Sequence, residues 1–376
     1  MPADKDKLEN DLLNLARVAL SGRPQDVQVI IRRIAKRARG DFPTLSESLV
    51  GLLRESPTRA SPLRKSADVA LPVDLDTRFQ LLRIEEHPTL EHEPVFSTGV
   101  TEALTRLTEE RFHVESLLEA GLEPTRTTLF TGPPGVGKTM AARWLARKLG
   151  RPLLILDLAA VMSSYLGRTG ANLRHVLDYA KSVDCVLLLD ELDAIAKRRD
   201  DRGEIGELKR LVTVLIQQLD DWPSSGLLIA ATNHADLLDP AIWRRFELAI
   251  EFPLPSTTAA REFISSRLSG SSSKVSDWAE ILSIALAGSS FSDIERDLKT
   301  ARRAAALNGK EIDDHLAALI QSNRLSRQDR IRIAAALVDK GLVSQRRAHE
   351  LTGVARDTIR ERTKPRRAAA KQEAEA

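Results

Sequence analysis

Apolar residues recur every three or four positions near the N-terminus, at Leu8, Leu12, Leu13, Leu15, Val18, Ala19 and Leu20. The rhythm resumes after Gly22 and Pro24 with Val27, Ile30, Ile31 and Ile34. This spacing stacks them on one helical face and predicts two or three amphipathic helices over residues 8–55. Residues 56–70 are rich in Ser and Pro and read as a flexible linker. Leu71 to Pro94 reads as partly extended, and Gly99 to Ala120 as helical. From Arg126 the pattern changes to apolar runs at 127–131, 153–158, 185–189, 227–232 and 247–252, separated by helical stretches. Uninterrupted apolar strands alternating with helices predict an α/β fold, a five-stranded parallel sheet covered on both faces. Residues 256–320 read as helical throughout and 325–365 as a further basic helical unit. The tail, Arg366 to Ala376, is expected to be disordered.

These changes divide the chain into a helical N-terminal region (1–55), a linker and following segment (56–119), an α/β domain (120–255), a helical segment (256–322), a helical module (323–365) and a tail (366–376). With 376 residues, 42% hydrophobic and 29% charged, the chain is long enough for several domains and has a globular composition. Net charge is only +3, but its distribution is uneven. Residues 71–125 hold twelve acidic groups against four basic, and residues 321–376 hold fourteen basic against seven acidic. The basic cluster from Arg32 to Arg39 falls on the second predicted helix, where a solvated face is the simpler reading and a nucleic-acid contact the other. One cysteine, Cys185, rules out an internal disulfide framework and suits a reducing compartment. The polar start Met1-Pro-Ala-Asp-Lys shows no signal-peptide pattern, and no apolar run reaches membrane-spanning length. A cytoplasmic protein without a membrane partner is expected.

The chemistry concentrates at Gly132-Pro133-Pro134-Gly135-Val136-Gly137-Lys138-Thr139. Its G-x-x-x-x-G-K-[ST] pattern is a phosphate-binding loop. Its glycines permit positive φ and a close approach of backbone to a polyphosphate, and its amides form an anion nest at a helix N-terminus. Lys138 can reach the β- and γ-phosphates, and the Thr139 hydroxyl can ligate Mg²⁺. A Gly/Pro surface turn would share the composition. The order strand (126–131), loop, helix (Met140 to Leu149) argues instead for nucleoside triphosphate binding.

A second buried strand, Val183 to Leu189, ends in Asp190 and Glu191. Beside a phosphate loop, Asp190 would hold Mg²⁺ and Glu191 would polarise the attacking water. A third strand, Gly226 to Thr232, ends at Asn233, whose amide could orient that water or simply cap a turn.

Together with the run Leu238-Asp-Pro-Ala-Ile-Trp-Arg244-Arg245-Phe246, these residues resemble an AAA ATPase of the AAA+ superfamily over about residues 120–320. The resemblance implies a P-loop NTPase domain with a helical lid, binding ATP and Mg²⁺ and assembling as a homo-oligomeric ring, usually a hexamer. In that reading Lys138 and Thr139 are Walker A residues, Asp190 and Glu191 Walker B, and Asn233 sensor 1. Arg244 and Arg245 match the arginine-finger segment, which would reach the γ-phosphate of a neighbouring subunit. The family's segment is longer and spaces its arginines, so either of this adjacent pair can be the finger. Met140 belongs to the nucleotide-binding set. Gly288 and Ser292 lie in Ala287-Gly-Ser-Ser-Phe-Ser-Asp-Ile294, which is similar to the family's lid segment against the base. Ser292 stands where other branches carry a sensor-2 arginine, favouring the protein-remodelling branch.

Tyr165, Leu166 and Gly167 resemble the family's first pore loop, which grips extended polypeptide; the alternative is a Tyr packed in the next helix. Lys197 to Glu204 would be the second pore loop. Asn172 and Arg174 match positions facing the neighbouring subunit. At the C-terminus, Arg327 to Leu337 and Gln345 to Arg360 resemble a helix-turn-helix module, with Gly353 in the turn and Arg356, Asp357, Thr358 and Arg360 outward. His349 stands where that motif usually packs a small residue. DNA binding through 325–365 and protein docking both remain open.

Three functions follow: a remodeller threading protein through a ring, a DNA-associated motor or regulator, and a nucleotide-controlled scaffold. Neither His349-Glu350 nor His92-Glu93 makes H-E-x-x-H, so a proteolytic role would need a separate peptidase. The N-terminal helices are then the candidate docking region.

Overall fold

The structure is a computed structural model that describes residues 82–158, 169–194, 205–270, 274–308 and 311–363, with Ile31, Ile34, Ala35 and Ser48. The chain divides into two compact units, Met1–Ala70 and Leu71–Ala376. In the first, the four described residues are helical, and Ile34 and Ala35 are buried, as an amphipathic pattern requires.

In the second unit the chain runs through β1 (Arg83–Glu85), α1 (Thr98–Phe112), α2 (Val114–Glu119), β2 (Thr127–Thr131), α3 (Lys138–Leu149), β3 (Leu153–Asp157), α4 (Thr169–Ser182), β4 (Val186–Asp190), α5 (Ile205–Asp220) and β5 (Leu227–Thr232). A short helix α6 (Pro240–Trp243) and β6 (Leu248–Glu251) complete the sheet, whose order is β1-β3-β4-β5-β2-β6. The five strands expected from the apolar runs are present and mutually parallel. To them is added β1, antiparallel to β3, in the segment read only as partly extended. Three residues give no periodic signal. Glu85 in this strand is held by Arg143 of α3, whose Nε lies 2.9 Å from Oε2, and that guanidinium keeps its carboxyl below the usual range.

Strand alternation builds a core on each face. Leu129, Leu187, Leu189, Leu228 and Ala230 face the layer of α4 and α5. Phe130, Val186, Leu188, Leu227 and Ile229 face α1 and α3. Arg111 at the end of α1 pins the sheet floor, donating to the Ser224, Thr125 and Gly226 carbonyls. Burial brings its guanidinium down to about 10.

Beyond the sheet, Ser256 caps α7 (Thr257–Leu268), its Oγ accepting from the Ala259 amide at 3.2 Å. With α8 (Val275–Ala285), α9 (Phe291–Asn308) and α10 (Ile312–Ala317), α7 packs around Trp278, Leu282, Ile294 and Leu298. α11 (Arg327–Asp339), α12 (Gln345–Thr352) and α13 (356–363) follow. Among the described residues no helix is long and apolar enough to cross a membrane.

Candidate nucleotide site

The loop between β2 and α3 has the conformation its glycines were expected to supply. Gly132, Gly135 and Gly137 take φ of 137°, 77° and 101°. Two of them also answer to close approach. A Cβ on Gly132 would stand 2.1 Å from the Phe252 carbonyl oxygen, and one on Gly135 would meet Ser290 Oγ at 2.6 Å and Ser292 Cβ at 2.9 Å. β6 therefore closes one side of the loop and the lid the other. Val136 turns inward beside Phe252 in the core, Pro134 is exposed, and Gly137 stands at the N-terminus of α3. Gly132→Ala is expected to cost at least about 1–3 kcal/mol in backbone strain alone, lowering the denaturant midpoint and ATP affinity together. A normal midpoint with normal affinity would show that Phe252 does not confine the loop.

Lys138 is buried, and its Nζ donates to Gly132 O at 2.7 Å, Pro133 O at 2.9 Å and Asn233 Oδ1 at 2.8 Å. Burial pushes its pKa down, while Asp190 and Asp193 push it back up. β5 delivers Asn233 to the lysine because β5 lies directly beside β2 in parallel register, Thr131 against Thr232.

The Thr139 hydroxyl donates to Asp190 Oδ2 at 3.2 Å. Asp190 is the last residue of β4, paired with Asp157, and its Oδ1 accepts the Glu191 amide at 3.0 Å. Glu191 then turns into the left-handed region, φ 56°, the one non-glycine among the described residues to do so. Such a conformation costs about 1–3 kcal/mol. It is held by the next amides, Leu192 N donating to Ala231 O at 2.9 Å and Ala194 N to Glu191 O at 2.9 Å. The kink leaves the Glu191 residue exposed at the sheet's carboxyl edge while Asp190 stays half-buried beside Thr139.

Asp193, three residues beyond Asp190, has no role in the sequence reading. It is buried, and its Oδ1 accepts from Thr232 Oγ1 at 3.3 Å and the Asn233 amide at 3.4 Å. It therefore orients the asparagine that holds Lys138. The signal is the second aspartate of Asp190-Glu-Leu-Asp193, but its target is visible only with β4 and β5 as neighbours.

From the lid, the Ser292 amide donates to Gly135 O at 3.1 Å. Ser290 Oγ and Asp293 cap α9 reciprocally, which fixes that amide over the loop. Gly288, φ 81°, turns the chain into this segment. Met140 and Arg143 line a cleft of about 660 Å³ that also meets Arg267 and Glu295 of the lid.

The arginine pair sits elsewhere. Arg245 Nη1 is 3.0 Å from Asp220 Oδ1, and its carbonyl accepts from Thr127 Oγ1 at 3.0 Å. Arg244 is exposed, and among the described residues its guanidinium makes no hydrogen bond or ion pair. Thr127 begins β2 and the loop follows its other end, so the pair lies about 15 Å from the loop at about 3.3 Å per strand residue. Of the two positions matched to a subunit boundary, Arg174 is exposed but Asn172 is buried within this chain, where α4 packs on the sheet. Tyr165, Leu166, Gly167 and the stretch Lys197–Glu204 lie outside the described residues. In the C-terminal unit, Arg356, Asp357 and Arg360 are exposed as expected, whereas Thr358 is half-buried.

The residues fit a magnesium–triphosphate ligand. Three glycines hold the left-handed backbone of a phosphate loop, a buried ammonium lies against that loop, and the Thr139 and Asp190 oxygens adjoin. Among the described residues no cluster of three or more His, Cys, Asp or Glu could hold a metal by itself. Mg²⁺ bound to phosphates needs only one or two protein oxygens.

Residues 128–254 match the family model described as "ATPase family associated with various cellular activities (AAA)". The chain is 33% identical over 296 residues to an uncharacterized AAA family ATPase, y4kL, of Sinorhizobium fredii, covering 78% of this chain and 88% of that one. It is 31% identical over 210 residues to the 26S proteasome regulatory subunit S10B homolog B of Arabidopsis thaliana, covering 54% and 53%. It is 29% identical over 282 residues to the 26S proteasome subunit RPT4 of Saccharomyces cerevisiae, covering 68% and 62%. The chain thus spans about half to three-fifths of the length of these proteasome relatives.

Proposed function

This chain belongs to the AAA family and is an ATP-hydrolysing enzyme, and we propose that it works as a homo-oligomeric ring, a hexamer, that remodels or threads protein. The observation that carries the ring is the placement of Arg244. It stands about 15 Å along β2 from its own loop, exposed beside the exposed Trp243, while Arg245 is occupied by Asp220. A guanidinium that far from its own γ-phosphate serves a neighbour's site. We assign Arg244 as the finger and Arg245 as the residue that braces its turn.

At the site, Lys138 and the loop amides hold the triphosphate, and Met140 and Gly288 border the nucleotide. Thr139 and Asp190 would hold Mg²⁺, which supplies charge neutralisation at the phosphates. Glu191 takes a proton from the attacking water, and Asn233, aimed by Asp193, positions that water against the γ-phosphate. Ser292 leaves the lid without a guanidinium of its own at that point, so the catalytic positive charge from outside the loop comes from the neighbouring subunit.

The remodelling role is supported by this site, by Tyr165-Leu166-Gly167 and by the similarity to proteins named as 26S proteasome regulatory subunits. A separate peptidase is the partner that similarity supports. ATP turnover should rise severalfold with a permanently unfolded polypeptide, and Tyr165→Ala should abolish that rise while sparing basal turnover. Equal stimulation of both proteins would remove the pore-loop reading.

A further inference from the structure

Helix α11 serves two cores. Ile333 and Leu337 lie in the lid core with Trp278 and Leu282, whereas Ala334 and Val338 meet Ala348 of α12 and Ile359 of α13. A polar clamp reinforces the first contact. Lys340 Nζ donates to Asp277 Oδ1 at 2.6 Å and lies 3.0 Å from Glu280 Oε2, and Lys274 Nζ donates to Gly341 O at 2.8 Å. Helices sharing a packed core resist independent movement, so the lid and the three terminal helices form one body.

The terminal helices have a helix-turn-helix form. Ser344 Oγ accepts from the Arg347 amide at 3.2 Å to start α12. Gly353, φ 70°, ends it by donating its amide to His349 O at 2.8 Å, and α13 begins three residues later. The small residue that such a corner needs is Ala348, fully buried. His349 instead turns out and bonds Val354 O at 2.8 Å, so it does not crowd the turn.

Charge on the outer face is available. Arg346 and Arg347 share Glu350. The guanidiniums of Arg356 and Arg360, four residues apart on α13 and both exposed, make no hydrogen bond or ion pair among the described residues. Residues 325–376 hold thirteen Lys and Arg against seven Asp and Glu, twice the excess of the whole chain at +3. Unpaired guanidiniums on one exposed helix of a basic unit match duplex phosphates and the acceptor edges of the major groove.

We propose that residues 327–363 bind duplex DNA with α13 in the major groove, and that DNA and nucleotide are linked through the lid. The linkage rests on the ATPase reading of the loop, because the lid reaches the loop through Ser292 N to Gly135 O; the DNA contact does not. Linkage of this kind is reciprocal: whatever nucleotide does to DNA affinity, DNA does to nucleotide affinity.

Fluorescence anisotropy of the full chain with a labelled mixed-sequence duplex, several helical turns long, tests both parts. Log affinity is expected to fall with log salt by about 0.9 per phosphate contact. Arg356→Glu with Arg360→Glu should weaken binding by about ten-fold or more and flatten the slope by about 2. ATP turnover without DNA should be unchanged in that variant, which separates a lost DNA contact from a lost fold. ATP added to Glu191→Gln protein should shift duplex affinity, and Lys340→Glu, which faces Asp277 and Glu280 with a like charge, should remove the shift without removing binding. The DNA assignment is overturned by no duplex binding at low salt, by unchanged binding in the double variant, by single-stranded DNA binding as well as duplex, or by tighter binding of an unfolded polypeptide to the same arginines. A duplex affinity indifferent to ATP overturns the linkage.

Discussion

Glu191→Gln is expected to keep ATP bound while turnover falls by about 10²–10⁴-fold, the usual contribution of a positioned general base. The substitution preserves volume and the main-chain bonds that hold the left-handed turn, the Glu191 amide on Asp190 Oδ1 and Leu192 N on Ala231 O. In the proposed role, only the charge that would accept the water's proton is removed. Lys138→Ala makes the contrast. It removes the ammonium that bridges two loop carbonyls to Asn233 Oδ1, so nucleotide binding itself should be lost. Equilibrium dialysis with labelled ATP, read beside phosphate release, separates the two outcomes. Turnover by Glu191→Gln within a few-fold of the unsubstituted protein would mean that another group takes the proton.

Arg244→Ala should reduce turnover by about 10³–10⁵-fold, the range for removing an arginine finger, with ATP affinity nearly unchanged. Arg245→Ala should cost far less, since its partner Asp220 is exposed and a surface pair contributes about 0–1 kcal/mol. The decisive measurement mixes subunits. On the proposed assignment, Arg244→Ala protein would have intact loops and no fingers, and Lys138→Ala protein would have fingers and no working loops. Mixed rings place a finger from one beside a loop from the other, and phosphate release should recover above either alone. Failure to recover at any mixing ratio would place the arginine's action within its own chain. Equal losses from both single substitutions would undo the division of labour between them.

Much of the site was legible along the chain because phosphate-loop chemistry is local. The glycines, Lys138 and Thr139 occupy eight consecutive residues, and their spacing alone sets which can meet a phosphate. The strands were legible for a similar reason. Leucine-rich runs such as Val186 to Leu189 are buried on both faces, so they interrupt helical periodicity plainly. β1 was not legible. A three-residue edge strand carries no period, and it forms because β3 offers an unpaired edge and Arg143 a partner for Glu85.

The sequence by itself determined a triphosphate loop, two acids at a strand end, an asparagine at another and an arginine pair after it. The tertiary structure decided which of these meet. Asn233 reaches Lys138 across 95 residues because β5 pairs with β2, and Asp193 gains its role from β4 lying beside β5. Phe252 and the lid serines close over glycines more than a hundred residues away. Asp220 engages Arg245 and leaves Arg244 exposed. Spacing encodes backbone periodicity and turn chemistry, which act over a few residues. Contact between distant side chains depends on strand order, and strand order is settled only when the two cores pack.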